Sequence, residues 1–165
     1  MSWLRRLLGG DTAEKPRYPC LDEGPHWHVT NAKGFELFFQ HLADLMPRGS
    51  ILYLEDPQSS EVREHLEPLK VEPEFEVQAG TLWPKPRKYH VPVTDENLSV
   101  LARLAQSHAE PEIAMHMVVY SGSTVLLEWY DAGDDPMAIS KDIPKDRVRT
   151  FCENLGMECR DSLQD

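Results

Sequence analysis

IAMHMVVYSGSTVLLEWY, residues 113–130, is a pair of β-rich runs broken by Ser121-Gly122-Ser123. A short polar break with a central glycine between two such runs is a hairpin signal. On the first arm Ile113, Met115, Met117 and Val119 share one face, and Ala114, Val118 and Tyr120 the other. Apolar groups on both faces belong to a central strand covered on both sides.

Downstream of the hairpin, Asp131-Ala-Gly-Asp-Asp-Pro136 reads as a turn that leads a third antiparallel strand around Met137 to Ser140. The last helix has Pro144 near its start, a stripe of Val148, Phe151, Cys152 and Leu155, and Gly156 as its stop.

Upstream, Thr94 is placed to cap a helix with Asp95 and Glu96 in its first turn and Leu98, Leu101, Leu104 and Ala105 on its buried side. Tyr89 to Val93 is an edge-like strand, and Trp83-Pro-Lys-Pro-Arg-Lys before it is extended by its prolines. Val71 to Val77 alternates Val71, Phe75 and Val77 with Glu72, Glu74 and Glu76, and Pro73 confines any strand there to an edge. Ile51 to Leu54 is a compact buried strand running into Glu55-Asp56-Pro57, where Asp56 is expected to cap a helix bearing Val62, Leu66 and Leu69. Phe35, Phe38, Phe39, Leu42, Leu45 and Met46 predict a helix over 32–46, capped by Thr30 or Asn31 and ended by Pro47 and Gly49. His26 to Thr30 is a short first strand. Strand, helix, strand and helix in this order suggest a parallel βαβ-like opening.

The expected fold class is therefore α+β (or α/β), one mixed sheet with a C-terminal antiparallel hairpin or meander, packed by about four helices. The expected domain spans 26–165, after a flexible arm and linker over 1–25 that is rich in Gly, Pro and charge. At 165 residues the chain suits one domain with a sizeable core.

Seventeen Lys and Arg against 28 Asp and Glu leave a net charge of −11. The acid is concentrated in residues 55–76 and 110–146, each with eight carboxylates, whereas residues 1–17 are locally basic. A field of this sign repels nucleic acid and anionic lipid and favours basic partners or plain solubility. No apolar run reaches the roughly twenty residues a spanning helix needs. No export signal is read, so the expected compartment is the cytosol. Cys20, Cys152 and Cys159 have no zinc-site spacing and imply no disulfide framework.

Several groups have the residue types for chemistry. His26 and His28, two apart on a strand, can point at one metal ion, with His90 or His116 as a further ligand. Against this, both are expected to be surface histidines beside a linker, with Trp27 turned inward. Met115-His116-Met117 reads as core, because strand geometry separates the sulfurs from the imidazole. Glu55 and Asp56, at a strand end, can bind a divalent cation or act as general acid and base, although capping explains Asp56 more simply. Cys152 is expected to be buried and inert, and nothing in the sequence marks Cys159 as activated.

Glu128, Trp129, Asp131, Asp134 and Asp135 join aromatic and acidic residues after the hairpin, an interface-like composition for a basic partner. Lys85, Arg87 and Lys88 between Trp83 and Tyr89 form the basic patch of the domain, read as a proline-stiffened loop docking on its own domain or on a protein. Nucleic acid is not expected. Trp3, Leu4, Leu7 and Leu8 with Arg5 and Arg6 could give residues 1–8 weak contact with a membrane surface. No cofactor motif is present, and none is expected.

Two readings follow. The leading one is a bacterial-type acidic cytosolic domain acting through protein contacts, as a regulator, an adaptor or the neutralising partner of a basic protein, or through self-association. The alternative is a small metal-assisted hydrolase using Glu55 and Asp56, or His26 and His28 with His90.

Overall fold

The computed structural model describes residues 21–30, 34–73, 76–81, 83–133 and 136–163. Residues 1–8, Cys20, Asn31, Phe75, Asp134 and Asp135 lie outside them, and so do the expectations attached to those positions. The strands are β1 (His26–Thr30), β2 (Ile51–Glu55), β3 (Lys88–Pro92), β4 (His116–Ser121), β5 (Thr124–Trp129), β6 (Met137–Ser140) and β7 (Glu158–Asp161). The helices are α1 (Phe35–Leu45), α2 (Ser60–Leu66), α3 (Asp95–Ala105), the single turn α4 (Glu110–Ile113) and α5 (Lys145–Leu155).

The hairpin forms around a two-residue loop, Gly122-Ser123, with Gly122 at φ 56°. Primed hairpin turns need positive φ, which glycine adopts without strain. Tyr120 pairs with Val125 and Val119 with Leu127, so Leu126 is an extra residue that bulges the ladder. β4 is buried at every position but its last, as a central strand requires. The third strand runs over Met137–Ser140, and β4, β5 and β6 make the C-terminal meander.

The sheet order is β3-β2-β4-β5-β6-β1-β7 and every pairing is antiparallel. The fold is α+β. The parallel opening suggested by the order of elements does not form. β1 and β2 run the same way, but β4, β5 and β6 lie between them. The neighbours of β1 are β6 and β7, both from the C-terminal quarter of the chain. A periodic apolar pattern says that a segment is a strand and which side is inward, and long-range side-chain matching chooses the neighbour.

Helices cover one face. α1 packs against both α3 and α5, and its buried Phe35, Phe38 and Phe39 meet Trp129 of β5 and Phe151 of α5. Phe38 lies 5.2 Å from Trp129, 5.3 Å from Phe39 and 6.1 Å from Phe151 between ring centroids, in tilted or edge-on arrangements that suit ring quadrupoles. Thr94 caps α3 by accepting the Asn97 amide, and Gly156, at φ 64°, ends α5 in the left-handed region.

Other boundaries differ from the sequence reading. Ser59, not Asp56, caps α2, accepting the Val62 amide. α1 starts at Phe35 after Gly34, with no side-chain cap. The described residues of 71–77 hold no strand. Pro73 has no amide to pair, and Val71 alone donates to the His90 carbonyl. β7 had no period-2 apolar signal, since its residues are exposed along an edge. Leu21 packs against the apolar cluster that holds Val118 and Tyr120.

Candidate functional site

The face of the sheet without helices is held by polar groups. Cross-strand partners share a face, so Tyr53 stands with His90 and Val118, and Glu55 with His116. A small apolar cluster of Ile51, Tyr53, Val77, Val118, Tyr120 and Val125 lies among them. Glu55 is fully buried in the centre. The Tyr53 hydroxyl donates to its Oε2 at 2.6 Å, the Gly80 amide to Oε2 at 3.0 Å and the Thr81 amide to Oε1 at 2.6 Å. His116 Nε2 lies 3.8 Å from Oε1. Burial, and then the bond to Glu55, push the Tyr53 phenol far above its ordinary pKa, so it stays a donor.

His116 Nδ1 accepts the Asp131 amide at 2.8 Å, which leaves its Nε2 the protonated nitrogen of the neutral ring, turned toward Glu55. Nearby, His90 Nδ1 is 2.9 Å from the Tyr120 hydroxyl. Burial, aided by Lys88, pushes the His90 pKa down to about 4, so that ring is neutral near pH 7.

These bonds tie a loop to the end of the sheet. Gly80 and Thr81 hang from Glu55 on one side of Trp83, and on the other the Asp56 amide donates to the Arg87 carbonyl at 2.8 Å. Gly80 sits so close to His116 that an added Cβ would lie 2.5 Å from the ring. Trp83, between the two anchors, is 85% exposed, the most open large apolar residue among those described. Lys85 and Arg87 beside it are exposed too.

The same end gathers acid from separated parts of the chain. Asp56 and Asp131 each stand just past a strand end, at φ 50° and 43°. Asp is among the few non-glycine residues that accept this conformation. The Ser59 amide donates to the Glu112 carbonyl, His108 Nε2 lies 3.5 Å from Glu61, and the Ala132 amide donates to the Met115 carbonyl. Glu61, Glu112 and Asp131 are thereby drawn to one rim, all exposed, with Asp56 half-buried beside them.

The expected acidic and aromatic patch is therefore dispersed. Trp129 is buried against the helices, on the opposite face from Glu128. Glu128 is buried too, accepting the Leu21 amide at 2.7 Å. Successive strand residues face opposite ways, so the pair cannot form one surface. Asp131 alone of the described members is exposed.

The histidines are also separated. His26 and His28 do share a face, with ring centroids 6.0 Å apart, and His26 Nδ1 is engaged with the Gly24 carbonyl at 2.8 Å. Three strand spacings, roughly 14 Å, separate β1 from His116 on β4, and five, roughly 24 Å, separate it from His90 on β3. Neither can complete a coordination sphere with His26 and His28. No group of three or more His, Cys, Asp or Glu among the described residues could hold a metal ion. Glu55 has its acceptors filled by its own chain, so its arrangement serves to fasten the loop. Asp56 and Glu55 point to different tasks, one at the rim and one beneath it.

The sequence reading placed Trp83 beside the basic patch of a proline-stiffened loop that docks on its own domain or on a protein, but did not single it out as an exposed anchor. Its signal was the pairing of an aromatic residue with flanking prolines and charge. No helix of the described residues is long and apolar enough to cross a membrane. No family model matches this chain, and neither the curated proteins nor the solved structures compared with it give a match.

Proposed function

We propose that this chain acts through protein contacts, as a regulator, adaptor or neutralising partner of a basic protein. One observation carries the reading. Trp83 is 85% exposed, on a loop anchored at Gly80, Thr81 and Arg87, beside a rim that bears Asp56, Glu61, Glu112 and Asp131. Exposed aromatic anchors fixed in advance and surrounded by charge are the usual energetic centres of interfaces, because little side-chain and loop freedom is lost on docking. The acidic rim supplies attraction for Lys- and Arg-bearing surfaces and orients their approach.

The test is affinity capture with crosslinking, comparing the wild type with Trp83→Ala and with a rim variant in which Asp56 and Asp131 are changed to Asn. A basic partner crosslinked to the loop or rim, lost in Trp83→Ala and weakened in the Asn variant while both keep the wild-type unfolding curve, supports the reading. A partner retained by both variants overturns it.

A further inference from the structure

α5 and β7 are joined by the tight turn at Gly156, and the turn brings two cysteines together. Cys152 lies on the buried stripe of α5 and Cys159 on β7. Cys159 pairs across the strands with Val29, whose side chain is in the core beneath the helices. Partners in a ladder share a face, so the Cys159 sulfur is on the side that α5 covers. The turn closes with the Met157 amide donating to the Cys152 carbonyl at 2.8 Å, and α5 packs on β7, so the two thiols lie on facing surfaces. Their exposures differ: Cys152 is buried and Cys159 is open to solvent.

A cation stands by. Asp161, two residues along β7 on the same face as Cys159, binds Lys141 Nζ at 2.8 Å. Lys141 also rests over the Trp27 ring, 3.1 Å from its centroid. Lys141 is thereby held on the face of β7 that carries Cys159.

We infer that Cys159 and Cys152 form a peroxide-reactive dithiol, with Cys159 as the attacking sulfur and Cys152 as the resolving one. The Cys152 hydrogen bond, and after it Lys141, push the Cys159 thiol down to about 7, which supplies thiolate at neutral pH. The neighbouring Cys159 sulfur, and after it burial, push the Cys152 thiol up, so the two sulfurs have distinct roles.

The reaction balances with a hydroperoxide as the oxidant. The Cys159 thiolate attacks the outer peroxide oxygen and the O–O bond breaks. The departing alkoxide or hydroxide takes up a proton, leaving Cys159 as a sulfenic acid. The Cys152 sulfur then attacks the sulfenyl sulfur. The S–O bond breaks, and the hydroxide leaves as water with the Cys152 proton. Two electrons pass from the dithiol to the peroxide, giving a Cys152–Cys159 disulfide, water and an alcohol, or a second water from hydrogen peroxide.

The experiment uses the full chain carrying Cys20→Ser, treated with hydrogen peroxide and read by intact mass and non-reducing peptide mapping. The expected result is loss of two hydrogens with a Cys152–Cys159 crosslinked peptide. Cys159→Ser should leave Cys152 unreacted. Cys152→Ala should stop at the sulfenic acid and be trapped by dimedone at Cys159. Should Cys152→Ala fail to fold, the crosslinked peptide and the Cys159→Ser result still decide. An unchanged mass after peroxide, or a disulfide linking Cys159 of two molecules, overturns the proposal.

Discussion

The two faces of the sheet are both buried, yet different forces hold what covers them. On the helical face Phe35, Phe38, Phe39, Trp129 and Phe151 pack by area and shape. That attraction has no direction and grows with the apolar surface removed from water. On the other face, Glu55 accepts the Gly80 and Thr81 amides of the loop and the Tyr53 hydroxyl, while His90 bonds Tyr120 and His116 accepts the Asp131 amide, all in fixed geometry. Losing packing costs in proportion to volume. Losing one acceptor strands several donors at once. The apolar face thus gives the domain its stability, and the polar face gives one loop its position.

The largest effect should come from the helical face. Phe38→Ala removes the ring at the centre of the aromatic group and should cost about 3–5 kcal/mol in urea unfolding. A loss below about 1 kcal/mol would mean that the centre of the core lies elsewhere.

Glu55→Ala comes next, at about 3 kcal/mol, because the Tyr53 hydroxyl and two amides lose their acceptor in a buried place. Its sharper signature is local. Hydrogen exchange at Gly80 and Thr81 should accelerate far more than exchange in α1. Equal acceleration in both would erase the distinction between a stabilising face and a positioning face.

The third effect is a pH dependence. The His90 pKa is lowered by burial from its ordinary 6.5 to about 4. Below pH 6.5 the unfolded chain takes up a proton that the folded ring refuses. The stability that neutral His90 contributes is thus complete above 6.5 and is lost as pH falls through about 4. His90→Asn should flatten the fall of the urea midpoint between those limits. A wild-type slope in the variant would assign that fall to the carboxylates alone.

The smallest effect belongs to Thr94→Ala on α3, where one exposed cap bond is removed for about 1 kcal/mol. It should leave exchange at Gly80 and Thr81 unchanged, since among the described residues no bond links that cap to Glu55.

Legibility followed the same division. The stripes of α1, α3 and α5, the Gly122 turn, the strand at Met137 and the stop at Gly156 follow from periodicity and local backbone preference, which act over a few residues. Asp56 was misread as a cap because Asp and Pro fit that motif locally, while Ser59 makes the bond in the folded chain. The candidate site was less legible. Glu55 was noticed for its place at a strand end, but its partners Gly80 and Thr81 are ordinary residues whose amides carry no sequence signature. Cys152 read correctly as buried, and nothing local tells that Cys159 lies against it.

By itself the sequence determined most of the helices and the strands with an apolar side, which side of each turns inward, and that the chain is acidic, because these depend on neighbours in the chain and on composition. Only the tertiary structure decided that β1 joins β6 and β7, that Glu55 fastens the Trp83 loop, and that acids from distant segments meet at one rim. Those outcomes rest on pairings between residues far apart in sequence, chosen by the collective fit of side chains and hydrogen bonds, which no local pattern encodes.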